Sequence, residues 1–385
     1  MTEEKPMDFQ HVVIVSGQRA AGSLQSMASE IHWALGAHGV AAEMVDVDVL
    51  PGFCKADTAR AASTLFLTFS HKVAFPWRQP VVSIMGDHPC HRVHQLSIGA
   101  SEDAVTAWSD ASHLPALKAL GFSHRAVFLP HAGPEPTEKV VPHNERDIDL
   151  LFVGTLREPT DRAEWHAANP GVSPIVPDLI FDTIDVVEKT GAPILPATLD
   201  TMMRHRVSPS LFTRDDFASL MSKIQDIGEV NRRVSILAAL PDDLEIAIAS
   251  NHLPLVLRDR PNLRYLGYID DFDRVRGLML NSRIVLNTTS KFPAGSHDRI
   301  WFAMAEGAVV LTDASLFMKQ DFRDGESILY LPQKRLDDEA LEPMVAAAKD
   351  TQELARLADR AGSIYRDRHT WRMRAPLLIE AMRAA

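Results

Sequence analysis

The sequence is poor in cysteine: its 385 residues include only Cys54 and Cys90. Two cysteines in no metal-ligand spacing argue against a disulfide framework and favour a reducing compartment. Long apolar runs are also lacking, since no stretch approaches the roughly 18 residues that a membrane span needs. The N-terminal MTEEKPMDFQ has neither the basic nor the apolar region of a signal peptide. We therefore expect a soluble, cytoplasmic protein.

Positive charge is in deficit, with 40 Lys and Arg against 51 Asp and Glu and a formal net charge of -11. Non-specific nucleic-acid binding needs basic surface and is disfavoured, although a local basic cleft for an anionic ligand is not. The chain also lacks an internal repeat or a low-complexity tract. Hydrophobic residues make up 46% of the sequence, enough for ample cores, and the length suits two domains.

The first part of the chain alternates apolar runs with helical patterns. His11–Ser16 and Thr64–Phe69 are typical of buried strands, and an amphipathic helix is predicted from about Ser23 to Leu35. Further strand candidates are Ala42–Val49, Pro80–Met85, Ala104–Trp108 and Ala126–Leu129. This alternation predicts a doubly wound, Rossmann-like α/β domain over residues 1–133, with ligands at the carboxyl ends of its strands.

A proline-containing segment, predicted to be a linker over residues 134–147, separates a second apolar series. We expect a second Rossmann-like domain over 148–368 and a C-terminal helix over 369–385. Its strand candidates are Ile148–Val153, Leu244–Ile248, Leu263–Tyr268, Ile284–Asn287, Val309–Thr312 and Ile328–Leu331. A helical insert is predicted over about 158–240, with helices at Asp178–Lys189, Leu195–Arg206 and Asp215–Leu240. The sequence leaves open whether this insert packs on the second domain, covers a cleft or forms a dimer contact.

The stretch Arg283–Asp313 reads as strand, polar loop, helix, glycine and strand. Ser296 is expected to cap the helix and Gly307 to end it. His297 and Arg299 fall at the start of that helix, where basic residues oppose the macrodipole. A helix N-terminus at the carboxyl edge of a parallel sheet is an anion site, so both residues are predicted to face a phosphate.

Several motifs in chain order carry a family resemblance. VVSIMGDHPCHR spans Val81–Arg92 and FVGTLRE spans Phe152–Glu158; further motifs are NLRYLGYID (Asn262–Asp270), NTTSKFPAGSHDRIWFAMAEGAVVLTD (Asn287–Asp313), GESILYLP (Gly325–Pro332) and HTWRMRAPLLIEAM (His369–Met382). Over residues 80–385 the chain resembles GT-B glycosyltransferases of the CgeB-like or group 1 bacterial family. The resemblance implies two Rossmann-like domains facing a cleft. One departure is Phe302, because related transferases often carry a ribose-binding Glu at that position.

The resemblance implies a nucleoside-diphosphate sugar as donor, docked on the second domain without a metal or other cofactor. The residues expected to bind its diphosphate are Thr288, Thr289, Gly295, Ser296, His297 and Arg299. Gly154 and Arg157 follow the first strand of that domain, and Tyr268 is placed to flank a nucleobase or to pack in the core. Glu306 and Asp313 are candidate substitutes for the missing ribose ligand. The simpler alternative is that Arg299 is a surface residue, Gly295 a turn and His297 merely exposed.

The acceptor is expected on the first domain, where Asp87 and His88 follow a predicted strand. An inverting transferase needs a base near neutral pKa for the acceptor hydroxyl, and we take Asp87 first and His88 second. Alternatively, Asp87 caps a turn and the histidines bond locally. Gly17, His91 and His131 are further acceptor-side candidates. A metal held by His88, His91 and His94 is disfavoured, because Pro89 disrupts the helix that such spacing requires.

Three functional classes follow from these residues. A glycosyltransferase acting on a glycan, protein or small-molecule acceptor is the leading hypothesis, with a homodimer as an open option. A sugar-nucleotide epimerase shares the architecture but needs paired acid–base carboxylates, and the sequence shows no such pair. A degenerate transferase that serves as a binding or assembly module is the non-enzymatic alternative.

Overall fold

The computed structural model describes residues 9, 11–16, 23–48, 50, 64–70, 80–99, 104–139, 141–288, 291–332 and 338–385. The predicted site residues Gly17 and Thr289 lie outside these ranges. The chain divides into two compact units. The first unit comprises residues 1–135, 270–272 and 365–385, and the second comprises 136–269 and 273–364.

The first unit contains a six-stranded parallel sheet in the order β2-β1-β3-β4-β5-β6. Its strands are β1 (His11–Ser16), β2 (Ala42–Asp46), β3 (Thr64–Phe69), β4 (Val81–Met85), β5 (Ala104–Trp108) and β6 (Arg125–Phe128). The helices α1 (Ser23–Ala37), α2 (Val93–Gly99) and α3 (His113–Ala119) connect strands, and the C-terminal helix spans Trp371–Arg383. Apolar residues of that last helix, such as Trp371 and Leu378, share a core with β1 and α1.

The second unit contains another six-stranded parallel sheet, in the order β12-β11-β10-β7-β8-β9. Its strands are β7 (Ile148–Val153), β8 (Ile246–Ala249), β9 (Leu263–Gly267), β10 (Ser282–Asn287), β11 (Val309–Thr312) and β12 (Leu329–Tyr330). The helices in this half of the chain are α4 (Arg162–Ala168), α5 (Ile175–Thr190), α6 (Ile194–Arg204), α7 (Arg214–Ala239), α8 (Leu255–Arg258), α9 (Phe272–Leu280), α10 (Asp298–Ala305), α11 (Met318–Asp321), α12 (Asp338–Lys349) and α13 (Thr351–Arg368).

The predicted fold class is confirmed, because both sheets are parallel and doubly wound. Some boundaries are wrong. The strand predicted at Leu244–Ile248 runs from Ile246 to Ala249, since residues 241–244 form a turn between the end of α7 and the strand. The predicted strand Ala42–Val49 ends at Asp46, where the Asp46 carboxylate accepts a hydrogen bond from the backbone of Asp48 in a turn.

The helical insert contributes directly to the second core. Val234, Ile236 and Leu237 of α7 are buried against the same cluster as Phe152 and Leu286 of the central strands. The first of the alternatives, that the insert packs on the second domain, therefore holds for this part of α7. Helices α5 and α7 approach closely at Gly228, where an added Cβ would lie 3.3 Å from Ile184.

The strand order of the second unit fixes where a ligand binds. From β7 the chain builds outward through β8 and β9, then returns to the other side of β7 and builds outward through β10, β11 and β12. The reversal falls between the neighbouring strands β7 and β10, which pair in parallel. Doubly wound sheets bind ligands in the crevice at such a switch point, outside the carboxyl ends of the strands.

Candidate functional site

Arg299 occupies the switch point of the second sheet. Its Nη1 donates a 2.9 Å hydrogen bond to Oδ1 of Asn287, the last residue of β10. Asn287 is fixed in turn because its Nδ2 donates to Thr312 Oγ1 at the end of β11. A Cβ added to Gly154, directly after β7, would lie 3.4 Å from Arg299 Nη2. The guanidinium therefore lies between the ends of β7 and β10, and Gly154 leaves room for it.

The helix that carries Arg299 begins at the same edge. Its N-cap is His297, whose Nδ1 accepts a hydrogen bond from the backbone N–H of Arg299 at 3.2 Å. The prediction that Ser296 caps the helix is wrong. Ser296 is buried, and its Oγ accepts a 3.1 Å hydrogen bond from Trp301 Nε1 instead. The prediction that both basic residues lie at the helix start agrees with the structure, although His297 is the cap rather than a first-turn residue.

The loop between β10 and α10 is held by a neighbouring loop. Ser315 Oγ donates to the Gly295 carbonyl at 2.7 Å, and the Leu316 N–H donates to the Pro293 carbonyl at 2.9 Å. The rings of Phe292 and His297 meet edge to face at 5.6 Å. Since these contacts fix residues 292–297 from the loop after β11, the backbone around the helix N-terminus is preorganised.

Two further cations lie at this site, and the sequence-based predictions missed both. Arg233 of α7 donates from Nη1 to the Thr155 carbonyl at 2.9 Å and from Nη2 to the carboxylate of Glu229. Lys291 Nζ lies 3.1 Å from the other carboxylate oxygen of Glu229. Thr155 belongs to the loop after β7 and Lys291 to the loop after β10, so the cations surround the switch point.

The electrostatics show that these charges act on one another. Burial, followed by the charge of Arg233, lowers the pKa of Arg299 to about 10. For Glu229, burial acts to raise the pKa, but Arg233 and Lys291 outweigh it and the net pKa is lowered. The Glu229 carboxylate therefore stays charged. It is outnumbered by the guanidinium groups of Arg233 and Arg299 and the ammonium of Lys291.

Thr288 adds a buried hydroxyl to this edge. The residue directly follows β10 and is 1% exposed. Its Oγ1 has no hydrogen-bond partner among the described residues. Buried polar groups are almost always hydrogen-bonded, so a ligand oxygen at this edge would give the hydroxyl its missing partner.

The other predicted donor-side residues differ in position. Arg157 is exposed in the loop after β7. Tyr268 directly follows β9 and is 73% exposed, so the alternative of a packed core tyrosine is wrong. Its exposure leaves the ring accessible to a flat ligand.

The structure separates the two candidate ribose ligands. Asp313 follows β11 at the carboxyl edge, where its Oδ1 accepts a 2.8 Å hydrogen bond from Arg232 Nε. It also lines a cavity of about 70 Å³ together with residues of the insert. Glu306 ends helix α10 at the opposite, amino edge of the sheet, where it is 2.6 Å from Arg276 Nη2. The topology thus removes Glu306 from the site that Arg299 defines.

The first unit carries the predicted acceptor-side residues after β4. The carboxylate of Asp87 is ion-paired with Arg92, and its side chain is 35% exposed. His88 is 2% exposed, and its Nδ1 accepts a 3.2 Å hydrogen bond from the Cys90 backbone as the cap of a short 3₁₀ turn. His88 therefore bonds locally, as the alternative expected, but His88 rather than Asp87 caps the turn, and the Asp87 carboxylate remains partly exposed.

His91 and His131 complete the acceptor-side group. His91 is half-buried at the end of the 3₁₀ turn. His131 is 7% exposed, and its Nε2 lies 3.4 Å from the position of a Cβ added to Gly86. His131 thus lies beside the start of the loop that carries Asp87. Within the described part of the chain, no group of three or more His, Cys, Asp or Glu side chains is arranged to hold a metal ion.

Comparison with known proteins agrees with this architecture. Residues 232–380 match the model of the family described as "Glycosyl transferase-like". The structure resembles WaaG, a glycosyltransferase involved in lipopolysaccharide biosynthesis, with a TM-score of 0.53 and 11% identity over 96% of this chain and 98% of that one. Sucrose-phosphate synthase from Thermosynechococcus elongatus gives a TM-score of 0.49 at 12% identity, and Anabaena Alr3699/HepE in complex with UDP and glucose gives 0.45 at 13%; the same coverages, 96% and 98%, apply to both. None of the curated proteins matches the sequence significantly.

The likeness to WaaG establishes the fold, which is that of the GT-B glycosyltransferases. The part of the chain that matches the glycosyl transferase-like model includes β8 to β12 and the cations Arg233, Lys291 and Arg299. The resemblance to group 1 glycosyltransferases indicated by the sequence motifs is thereby confirmed in this half. In the described residues, no helix has the length and apolarity to cross a membrane.

Proposed function

We propose that this protein transfers a sugar from a nucleoside-diphosphate sugar to an acceptor hydroxyl or amide. The observation that carries the proposal is Arg299, fixed between the ends of β7 and β10 at the N-terminus of α10. An arginine so placed, with a helix N-terminus and Arg233 nearby, matches the needs of a diphosphate. In this proposal the diphosphate is held by the loop and helix N-terminus of residues 288–299.

The chemistry of the transfer explains why the site is cationic. The bond between the anomeric carbon and the diphosphate oxygen breaks, and a bond to the acceptor oxygen or nitrogen forms. The departing nucleoside diphosphate gains negative charge as this happens. Fixed donors and cations that meet that charge lower the barrier. Arg299, Arg233 and Lys291 supply positive charge from the protein itself, which favours transfer without a metal.

Asp87 is the proposed base that takes the proton from the acceptor. Its carboxylate is partly exposed and paired with Arg92, which orients it. His88 is no longer preferred, because its ring is buried and its Nδ1 accepts a backbone hydrogen bond. For Asp87→Asn we expect nucleotide binding to persist while transfer falls by about 10²- to 10⁴-fold, the usual contribution of a general base. Wild-type transfer by this variant would remove Asp87 from the role.

A ligand screen followed by a turnover assay tests the proposed activity. We expect one nucleoside diphosphate and its sugar conjugate to raise the melting temperature in proportion to the logarithm of ligand excess. The purified protein should then release that nucleoside diphosphate from the sugar conjugate, in the presence of EDTA, when an acceptor is supplied. Formation of an isomeric nucleotide sugar without acceptor would indicate an epimerase. The absence of any nucleotide effect would indicate a binding or assembly module.

A further inference from the structure

Glu229 is a buried carboxylate that contacts two cations of the proposed diphosphate site. It lies on α7, one turn before Arg233, and its side chain is 7% exposed. One carboxylate oxygen pairs with Arg233 Nη2, and the other lies 3.1 Å from Lys291 Nζ. Both oxygens are therefore engaged by positive charge.

The two partners of Glu229 differ in how firmly they are held. Arg233 is also fixed by the backbone, because its Nη1 donates to the Thr155 carbonyl at 2.9 Å. Lys291 ends in a compact ammonium on a flexible four-carbon stem, with a side chain that is 21% exposed. A change of anion at this site would therefore move Lys291 more easily than Arg233.

Burial explains why a carboxylate is needed in the nucleotide-free protein. A buried charge without a partner is costly, and Arg233 has a side chain that is only 11% exposed. Burial, followed by the charge of Arg233, also lowers the pKa of Arg299, so the two guanidinium groups repel each other. The carboxylates of Asp298 and then Glu229 offset this repulsion while no ligand is bound. A diphosphate offers the same kind of oxygen acceptors with more charge.

On the basis of the proposed function, we propose that Glu229 is an internal counter-anion that the donor diphosphate replaces on Lys291. In the nucleotide-free protein, Glu229 holds Lys291 and orients Arg233. When the diphosphate binds, the Lys291 ammonium turns to its oxygens, and Glu229 remains paired with Arg233. The negative charge left beside the ligand then weakens the hold on the nucleoside diphosphate and favours its release. Glu229 is thus a positioning residue that tunes product affinity.

The test is nucleoside-diphosphate affinity in Glu229→Gln, measured by calorimetry with the diphosphate that stabilises the wild type. We expect this variant to have a lower melting temperature without ligand, a dissociation constant about tenfold smaller and a steeper dependence on salt. A purely structural role predicts the opposite sign, with weaker binding. Equal or weaker binding by a folded Glu229→Gln variant would overturn the proposal.

Three further variants make the result decisive. Glu229→Asp keeps the charge but shortens its reach to Lys291, so a smaller gain in affinity is expected even if Glu229→Gln does not fold. In a Lys291→Ala background, the gain from Glu229→Gln should largely disappear, because coupled residues are not additive. Asp182→Asn, which removes an insert carboxylate paired with Arg162 and His205, should leave nucleotide affinity unchanged. If the wild type binds no nucleoside diphosphate, the proposed function fails together with this inference; if it binds but no variant gains affinity, only the inference fails.

Discussion

The second unit holds two arginines whose pKa values are lowered to the same extent but whose surroundings differ. Burial lowers the pKa of both Arg146 and Arg299 to about 10. Arg146, at the amino edge of the sheet, donates to the carbonyls of Val141, Ser282 and Glu306. At the carboxyl edge, the side chain of Arg299 makes a single hydrogen bond among the described residues, to Asn287, and lies near another cation. A desolvated arginine whose N–H donors are satisfied within the protein stabilises the fold, whereas one with unused donors can bind a ligand.

This comparison predicts that substitutions at the amino edge change mainly the stability of the protein, whereas substitutions at the carboxyl edge change mainly its nucleotide affinity. The strongest effect on stability should come from Arg146→Met, which removes the donor of three backbone carbonyls, two of them in buried hydrogen bonds. We expect the free energy of unfolding to fall by about 3 kcal/mol, because unsatisfied buried acceptors are costly. Chemical denaturation measures this loss. Nucleoside-diphosphate affinity of the folded variant should stay within about twofold of wild type, and a large loss of affinity would break the distinction between the edges.

The amino edge should also make stability depend on pH. Burial, then the charge of Arg146, lowers the pKa of His143 to about 4, below its ordinary 6.5. The unfolded chain therefore binds this proton first as the pH falls. The stabilising contribution is complete above about pH 6.5 and is lost toward pH 4, at no more than about 1.4 kcal/mol per pH unit. His143→Gln should flatten this part of the stability curve, and an unchanged slope would contradict the assignment.

Gly307, which lies beside Arg146, provides a further test of the amino edge. It ends α10 with φ +68°, and an added Cβ would lie 3.1 Å from Arg146 Nη2. Both the left-handed conformation and the close contact disfavour any side chain. Gly307→Ala is expected to cost about 2 kcal/mol of stability, at the upper end of such backbone effects. Gly277→Ala is a control, since a Cβ there meets nothing within 4 Å. Similar losses in the two variants would refute this account of Gly307.

The smallest effect is expected at the carboxyl edge, for Thr288→Val. Replacing a buried hydroxyl that has no partner by a methyl group of similar shape should change stability by less than about 1 kcal/mol. If Thr288 donates to a ligand oxygen, nucleotide affinity should drop by a few-fold, in line with one hydrogen bond of about 1 kcal/mol. A marked loss of stability with unchanged affinity would place Thr288 with the structural residues.

Much of the fold and part of the site follow from the sequence, because those features are local. The apolar runs at His11–Ser16, Thr64–Phe69 and Val309–Thr312 match strands at their predicted bounds. The strand–loop–helix around Arg299 can also be predicted, since the residues that indicate it lie within about thirty positions of one another. The prediction of Ser296 as helix cap is wrong because its hydroxyl accepts a hydrogen bond from Trp301, a contact that the sequence of the loop does not indicate.

The rest of the site depends on contacts between distant parts of the chain. Arg233 and Glu229 form an i, i+4 pair of a kind common on exposed helix surfaces, so the pattern alone indicates a solvated ion pair. Only the packing of α7 against the sheet brings Arg233 to Thr155 and Glu229 to Lys291. The misassignment of Glu306 has a similar origin. Glu306 lies in the predicted strand–loop–helix motif, but α10 runs away from the carboxyl edge and places Glu306 at the other edge of the sheet.

The most direct test of the account compares nucleoside-diphosphate affinity in Arg299→Ala and Arg276→Ala by titration calorimetry. Both changes remove a half-buried arginine from the second unit, but Arg276 pairs with Glu306 at the amino edge. The account predicts that Arg299→Ala weakens binding by about 10- to 100-fold, as expected for charged hydrogen bonds to phosphate, while Arg276→Ala stays within about twofold of wild type. Unchanged affinity in Arg299→Ala, or an equal loss in both variants, would contradict it.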